Sequence, residues 1–346
     1  MHLPPLPEQP AVSYVMPVLN EEHYLETAVR TILDQDYAGE KEIVLALGPS
    51  RDRTAAIAAA LAASDSRVRL VENPQTHIPA GLNLAIAASR HPVVVRVDAH
   101  SELTPDYTRR GIEALRREGA VNVGGVMRAA GRGAVQQAIA RGYNSPFGLG
   151  GGAYHGDGVA GPAESAYLGI FRREALDAVG GYDPSILRGE DWELNLRIRR
   201  AGGLVWFEPE LGVTYWPRAS LRDLARQFFA TGTWRAVLVR RYGRANPWRF
   251  FAPGALVLGV AASVLAFVLL VCGVLPWGSA WTLLLAPAAL YLLGIAYATV
   301  RIPDQPNLRD RLLTAATLMT MHLSWGSGFL RGIIFGGGRV VDRSRV

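Results

Sequence analysis

Val93-Val94-Val95-Arg96-Val97-Asp98-Ala99-His100 is a run of mostly β-branched residues that ends on two side chains able to bind a cation. Its apolar continuity predicts a buried strand, as in a parallel sheet. The segments before it fit the same scheme. Ala11-Val12-Ser13-Tyr14-Val15-Met16 reads as a buried strand ending at Pro17-Val18-Leu19-Asn20-Glu21-Glu22, and 24–34 has helical periodicity. Glu42 to Leu47 is a second strand, followed by Gly48-Pro49-Ser50-Arg51-Asp52-Arg53-Thr54 and an alanine-rich helix to about Ala63. Residues 68–71 form a short third strand and 78–89 a helix, which makes the opening stretch the end of a fourth strand. This alternation predicts right-handed βαβ units and an α/β fold. Ligands of such sheets sit beyond the carboxyl ends of the strands, so the loops after Met16, Leu47 and Val97 are expected to meet at one crevice.

Downstream the pattern weakens. Residues 124–161 are rich in glycine, including Gly148-Leu149-Gly150-Gly151-Gly152, and predict a long irregular stretch, either a linker or, as favoured, a loop that gates a substrate. A helix over 172–179 precedes Gly180-Gly181-Tyr182-Asp183. Gly189-Glu190-Asp191-Trp192 then leads into a helix over 193–201. Residues 221–242 are amphipathic and are expected to lie on a membrane surface.

The chain has 346 residues, 49% of them hydrophobic, but the apolar excess is concentrated. Residues 250–300 contain no Asp, Glu, Lys or Arg. That run is too long for one crossing, because about 20 helical residues span the hydrocarbon. Leu275-Pro276-Trp277-Gly278-Ser279 supplies a turn, so two spans are expected near 253–275 and 279–300. Arginines flank both, which predicts cytoplasmic flanks and an external turn. A third apolar segment, 312–334, is read equally as a crossing or as a re-entrant or interfacial helix. The expected organisation is a leader (1–10), an α/β domain (11–217), interface helices (218–249), a membrane region (250–336) and a basic tail (337–346). The N-terminus has no basic region followed by an apolar one, so the α/β domain is expected in the cytoplasm on a multi-pass inner (plasma) membrane protein. The lone Cys272 excludes a disulfide framework and a Cys-based zinc site. Net charge is +6, but the cations gather beside the spans, so the expected partner is anionic lipid and no nucleic acid.

Two motifs carry chemistry. Asp98 and His100, one residue apart at a strand end, can aim two ligands at a divalent cation that neutralises a diphosphate. Asp191, beside Glu190, can remove a proton from a hydroxyl. Taken singly, the first is more simply a turn and the second a helix cap. Their order alters that reading. Pro17 to Glu21, Ser50 to Thr54, Gly81-Leu82-Asn83-Leu84-Ala85, Asp98 to His100 and Glu190-Asp191 together resemble the family 2 glycosyltransferases of GT-A fold, over residues 12 to about 217. Within that family the chain is similar to membrane-associated exopolysaccharide glucosyltransferases of succinoglycan type.

The resemblance implies residue roles. Pro17, Val18, Asn20, Glu21, Ser50, Asp52, Asn83 and Asp98 would bind the nucleotide sugar, a UDP-hexose being favoured. Asp98 and His100 would hold Mn²⁺ or Mg²⁺. Asp191 would be the base, with Glu190 and Trp192 shaping the acceptor site. Tyr167, Arg172, Gln227, Trp234 and Arg235 would lie toward the acceptor or the leaving diphosphate. Many members end the second strand with Asp-Asp-Gly-Ser, whereas this chain has Leu47 and Gly48 at the acidic positions. The implied reaction is inverting hexosyl transfer to a lipid-linked saccharide. Synthesis of a polyprenyl-phosphate sugar and a silent sugar-nucleotide scaffold are the alternatives.

Overall fold

The alternation of strands and helices is realised in the structure, a computed structural model that describes residues 1, 3–149, 158–338 and 340. The chain divides into two units, one of residues 1–130 and 151–216 and one of 131–150 and 217–344. In the first, β1 (Val12–Val18), α1 (Leu25–Leu33), β2 (Lys41–Leu47), α2 (Thr54–Ser64), β3 (Val68–Glu72), α3 (Ile78–Ala88) and β4 (Val93–Arg96) follow one another. Then come β5 (Ser101–Leu103), α4 (Tyr107–Glu118) and β6 (Asn122–Ala129). After α5 (Gly133–Asn144), which belongs to the second unit, the first resumes with β7 (Gly161–Pro162), β8 (Tyr167–Arg172), α6 (Arg173–Val179), α7 (Glu190–Arg200) and β9 (Val205–Tyr215).

The strands form one sheet in the order β3-β2-β1-β4-β8-β6-β9-β5, with β7 on β9. β3, β2, β1 and β4 are parallel, and β8 runs antiparallel to β4. Side chains alternate between faces, as strand geometry requires. Tyr14 and Met16 pack with α1 residues Leu25, Val29 and Ile32. Val15 instead packs with Leu82 and Ile86 of α3.

The irregular loop expected over 124–161 is corrected in its first half, which is a central strand and a helix. Gly124 and Gly125 misled the reading because they serve packing and not a turn. A Cβ on Gly125 would overlap the Leu211 carbonyl of β9, and one on Gly124 would crowd Ala166. The register of β6 shifts at these glycines against both neighbours, a bulge that bare backbone permits. The remaining part of the proposed gate, 150–157, lies outside the described residues, as do Arg339, Arg343 and Arg345 of the expected basic tail.

The second unit is helical: α5, α8 (Leu221–Tyr242), α9 (Ala252–Val271), α10 (Ala286–Arg301) and α11 (Leu308–Phe335). Residues 248–271 and 280–301 are long and apolar enough to cross a membrane, with only 22% and 17% of their most apolar windows buried. Leu258, Leu265, Val271, Leu283, Leu290 and Leu293 face outward. Bare leucine and valine on that scale associate the chain with a membrane. The helix of 221–242 exists, but its apolar face does not await lipid as predicted. Phe228 and Trp234 are buried, and bare backbone at Gly232 and Gly328 lets α8 and α11 touch main chain to main chain. The segment 312–334 lies in α11, a single uninterrupted helix with no re-entrant turn.

Candidate active site

The parallel register sets the carboxyl ends of β1, β2 and β4 side by side, and the pairing of Ser101 with Tyr215 adds the end of β9. The loops after β1 and β2 are cross-linked. The Asn20 amide donates to Ser50 Oγ at 3.0 Å, the Arg51 amide to Asn20 Oδ1 at 2.7 Å, and the Glu21 amide to Thr54 Oγ1 at 2.8 Å. Asp52 accepts the Glu22 and Thr54 amides. Burial pushes its carboxyl up, but these donors outweigh it and hold the group below its ordinary range. Asn20 takes a left-handed φ of 53°, which asparagine tolerates. Ser50 and Asp52 thus hold the Pro17–Glu21 turn in place.

The centre of the crevice is a residue that motif reading missed. Arg96, the last residue of β4, is 4% exposed and meets three carboxylates. Its Nη2 donates to Asp98 Oδ1 at 3.2 Å and to Glu190 Oε1 at 3.1 Å, its Nε reaches Asp98 Oδ1 at 3.3 Å, and its Nη1 donates to Asp191 Oδ1. The guanidinium lies 5.8 Å from the ring centre of Tyr182. An arginine inside a valine run was the available signal, since a lone charge in a buried strand requires partners.

Glu190 and Asp191 reach Arg96 because α7 begins there. Gly189 has φ 77°, a left-handed turn that favours glycine and starts the helix sharply. Acidic side chains in that first turn also suit the positive end of the helix dipole. Asp191 keeps 28% of its side chain exposed, against 9% for Glu190. Burial pushes the Asp191 carboxyl up, Arg96 pulls it down, and the charges of Glu190 and Asp98 raise it again. Burial, joined by these two negative charges, outweighs the single cation, and the upward shift dominates.

His100 follows at the same strand end, its Nδ1 2.9 Å from Glu21 Oε1 and its ring 5.4 Å from Tyr215. Tyr167 approaches Ser101 at 3.3 Å, and burial raises its phenol. Trp192 is buried behind the carboxylates in α7. Other predicted residues have partners of their own. Asn83 clasps the Tyr182 backbone with both ends of its amide, at 2.8 and 2.9 Å. Arg172 pairs with Val93 at the opposite end of β4 and donates to the Pro4 carbonyl. In the second unit, Gln227 accepts from Tyr143, Trp234 donates to the Val340 carbonyl, and Arg235 covers the Phe250 ring at 4.1 Å.

Among the described residues no group of three or more His, Cys, Asp or Glu is arranged to hold a metal. Asp98 and His100 offer a carboxylate and an imidazole one residue apart, a donor set that a cation bound chiefly by a diphosphate and water would accept. Glu21 engages the imidazole through Nδ1, which directs any ligating role to Nε2, since a histidine that binds a metal through one ring nitrogen commonly hydrogen-bonds through the other.

Comparison with known proteins identifies the family and the fold. Residues 13–180 match the family described as Glycosyl transferase family 2. The chain is 32% identical to Succinoglycan biosynthesis protein ExoA of Rhizobium meliloti (strain 1021), over 92% of its own length and 94% of the relative's. It is 20% identical to a dolichyl N-acetyl-alpha-D-glucosaminyl phosphate 3-beta-D-2,3-diacetamido-2,3-dideoxy-beta-D-glucuronosyltransferase of Methanococcus voltae, over 94% and 98%. Among solved structures it resembles the mannosyltransferase PcManGT of Pyrobaculum calidifontis, solved with GDP-Man and Mn²⁺. The TM-score is 0.63 at 18% identity, over 94% of this chain and 88% of that one, a likeness of fold. The chain belongs to glycosyl transferase family 2, has the GT-A fold, and is a glycosyltransferase.

Proposed function

We propose that the protein is an inverting hexosyltransferase that moves a sugar from a nucleoside-diphosphate donor, UDP-hexose being favoured, to a lipid-linked saccharide in exopolysaccharide synthesis. The observation that carries this reading is the meeting of Asp98 and Asp191 on Arg96. It brings a donor-side carboxylate at a strand end and a partly exposed carboxylate at a helix start into one site. The names of two relatives, one a succinoglycan protein and one acting on a dolichyl-linked sugar, support a surface saccharide and a lipid carrier.

In this mechanism Asp191 accepts the proton of an acceptor hydroxyl as that oxygen attacks the anomeric carbon. The diphosphate leaves from the opposite face, so an α-linked donor gives a β-linked product. A divalent cation, held by Asp98 and His100 when bound, would neutralise charge on the leaving phosphate. The turn from Pro17 to Glu21, pinned by Ser50, Asp52 and Thr54, would receive the nucleotide. A raised carboxyl suits Asp191 as base, because it binds the proton more firmly than an ordinary aspartate would. The two apolar helices would anchor the chain in the membrane that carries a lipid-linked acceptor, with the catalytic unit cytoplasmic.

The test is a panel of radiolabelled UDP-hexoses and GDP-mannose, offered with membrane lipid extract to the full-length protein with Mn²⁺ or Mg²⁺. Label entering a lipid-soluble product with β configuration supports the reading. Failure of every donor with every extract overturns it, and a retained α configuration overturns the single displacement.

A further inference from the structure

Arg96 has no substrate-binding role in the reaction above, yet every candidate catalytic carboxylate leans on it. Its backbone is fixed in the sheet, since β4 pairs with β1 and Val15 lies opposite Arg96. Its side chain is buried and tied to three carboxylates. The guanidinium is planar and always charged, and its donors are splayed at fixed angles. One edge takes Asp191, while Nη2 bridges Glu190 and Asp98 and Nε adds a second bond to Asp98. Three carboxylates in a mostly buried pocket repel one another, and without a cation at least one would take up a proton or turn outward.

We propose that Arg96 is the positioning residue of the reaction: its fork holds the base carboxylate of Asp191 and the donor-side carboxylate of Asp98 in a fixed mutual geometry. This rests on the proposed function and deepens it. Asp191 spends Oδ1 on Arg96, so its partly exposed carboxylate is anchored on the core side while remaining open to an acceptor. The distance between acceptor and donor halves is then set by one rigid group in the sheet, and not by the separate flexibility of the β4 loop and the α7 turn. A misplacement of about 1 Å in such a pair costs on the order of a hundredfold in rate.

Among the described residues, the charged and titratable groups that face Asp191 are Arg96 and Asp98 from β4 and its loop, Glu190 from its own helix and Tyr182 from the preceding turn. Of these only Arg96 favours the ionised carboxylate. Weakening it therefore moves the acid limb of the rate profile to higher pH.

The experiment uses the full-length protein in detergent with whichever of UDP-glucose or GDP-mannose the wild type turns over. R96K keeps the charge and loses the fork, R96Q loses both, and D191N is the control. We expect R96K to bind donor like the wild type, to lose about a hundredfold in kcat, and to show its acid limb at higher pH; R96Q should go further in the same direction. A purely structural role would lower the melting temperature and leave the limb in place. Wild-type kcat and pH profile in R96K overturn the inference. So does loss of donor binding in a folded R96K, which would make Arg96 a donor ligand, and so does failure of R96K to fold. If D191N retains turnover, the base assignment itself falls. If D191N is inactive while R96K matches the wild type, only the role of Arg96 falls.

Discussion

The two ends of β-strands in the first unit each bury an ionic cluster, and the clusters are opposite in balance. At the amino ends, Glu42 of β2 is 2% exposed and receives Ser13 Oγ at 2.7 Å, the Arg90 amide at 2.6 Å, Arg90 Nε at 3.2 Å and Arg69 Nη1 at 3.1 Å. One carboxylate there has a surplus of donors. Burial pushes its carboxyl up, but Ser13, Arg90 and Arg69 outweigh it and set it below the usual range. At the carboxyl ends one guanidinium is shared by three carboxylates, and Asp191 is pushed upward. Surplus donors make a clamp that locks an ionised group in place. Surplus carboxylates leave proton affinity and negative charge in reserve, and chemistry needs both.

Four changes sharpen that contrast. Asp98→Asn should have the largest effect, on the order of a thousandfold in kcat/KM, because a cation-supported leaving group is worth several kcal/mol. Donor titrations with and without Mn²⁺ check it, and an unchanged metal dependence would remove Asp98 from the donor side. Glu42→Gln should instead leave kcat unchanged and cost about 1–3 kcal/mol of stability, as for a buried group stripped of its charged partners. The pH dependence has a definite sign. A depressed folded-state carboxyl adds stability above its ordinary value of 4.5, lost as pH falls through the lower folded value. Melting curves in acid should therefore converge for Glu42→Gln and wild type.

Glu190→Gln removes one of the charges that raise Asp191, so the acid limb of kcat/KM should move to lower pH, by up to about one unit. In the wild type that limb should lie above the ordinary aspartate value of 3.8, since the base works only when ionised. Gly189→Ala is the mildest change. Forcing a side chain into φ 77° costs about 1–2 kcal/mol and loosens the start of α7, so melting should fall and kcat should drop modestly.

The βαβ half of the sheet was legible because apolar runs and turn residues encode it locally. The two candidate carboxylates were legible as motifs, but their shared site was legible only through the family resemblance, because Asp98 and Asp191 meet only through the tertiary fold. Arg96 was overlooked inside a valine strand, where its charge reads as an anomaly until its three partners are known. Asn83 and Arg172 were placed by motif at the crevice, whereas hydrogen-bond satisfaction ties the first to the Tyr182 backbone and register puts the second at the far end of β4. The strand β6 was hidden by Gly124 and Gly125, whose bare backbone serves close packing.

The central claim is that the carboxylate-rich end of the sheet transfers a sugar with Asp191 as base. Its most direct test measures donor binding and transfer side by side in wild type and Asp191→Asn. The account predicts unchanged nucleotide-sugar affinity with transfer reduced by about 10²–10⁴-fold, the usual contribution of a general base. Transfer at the wild-type rate, with donor bound equally well, would contradict it.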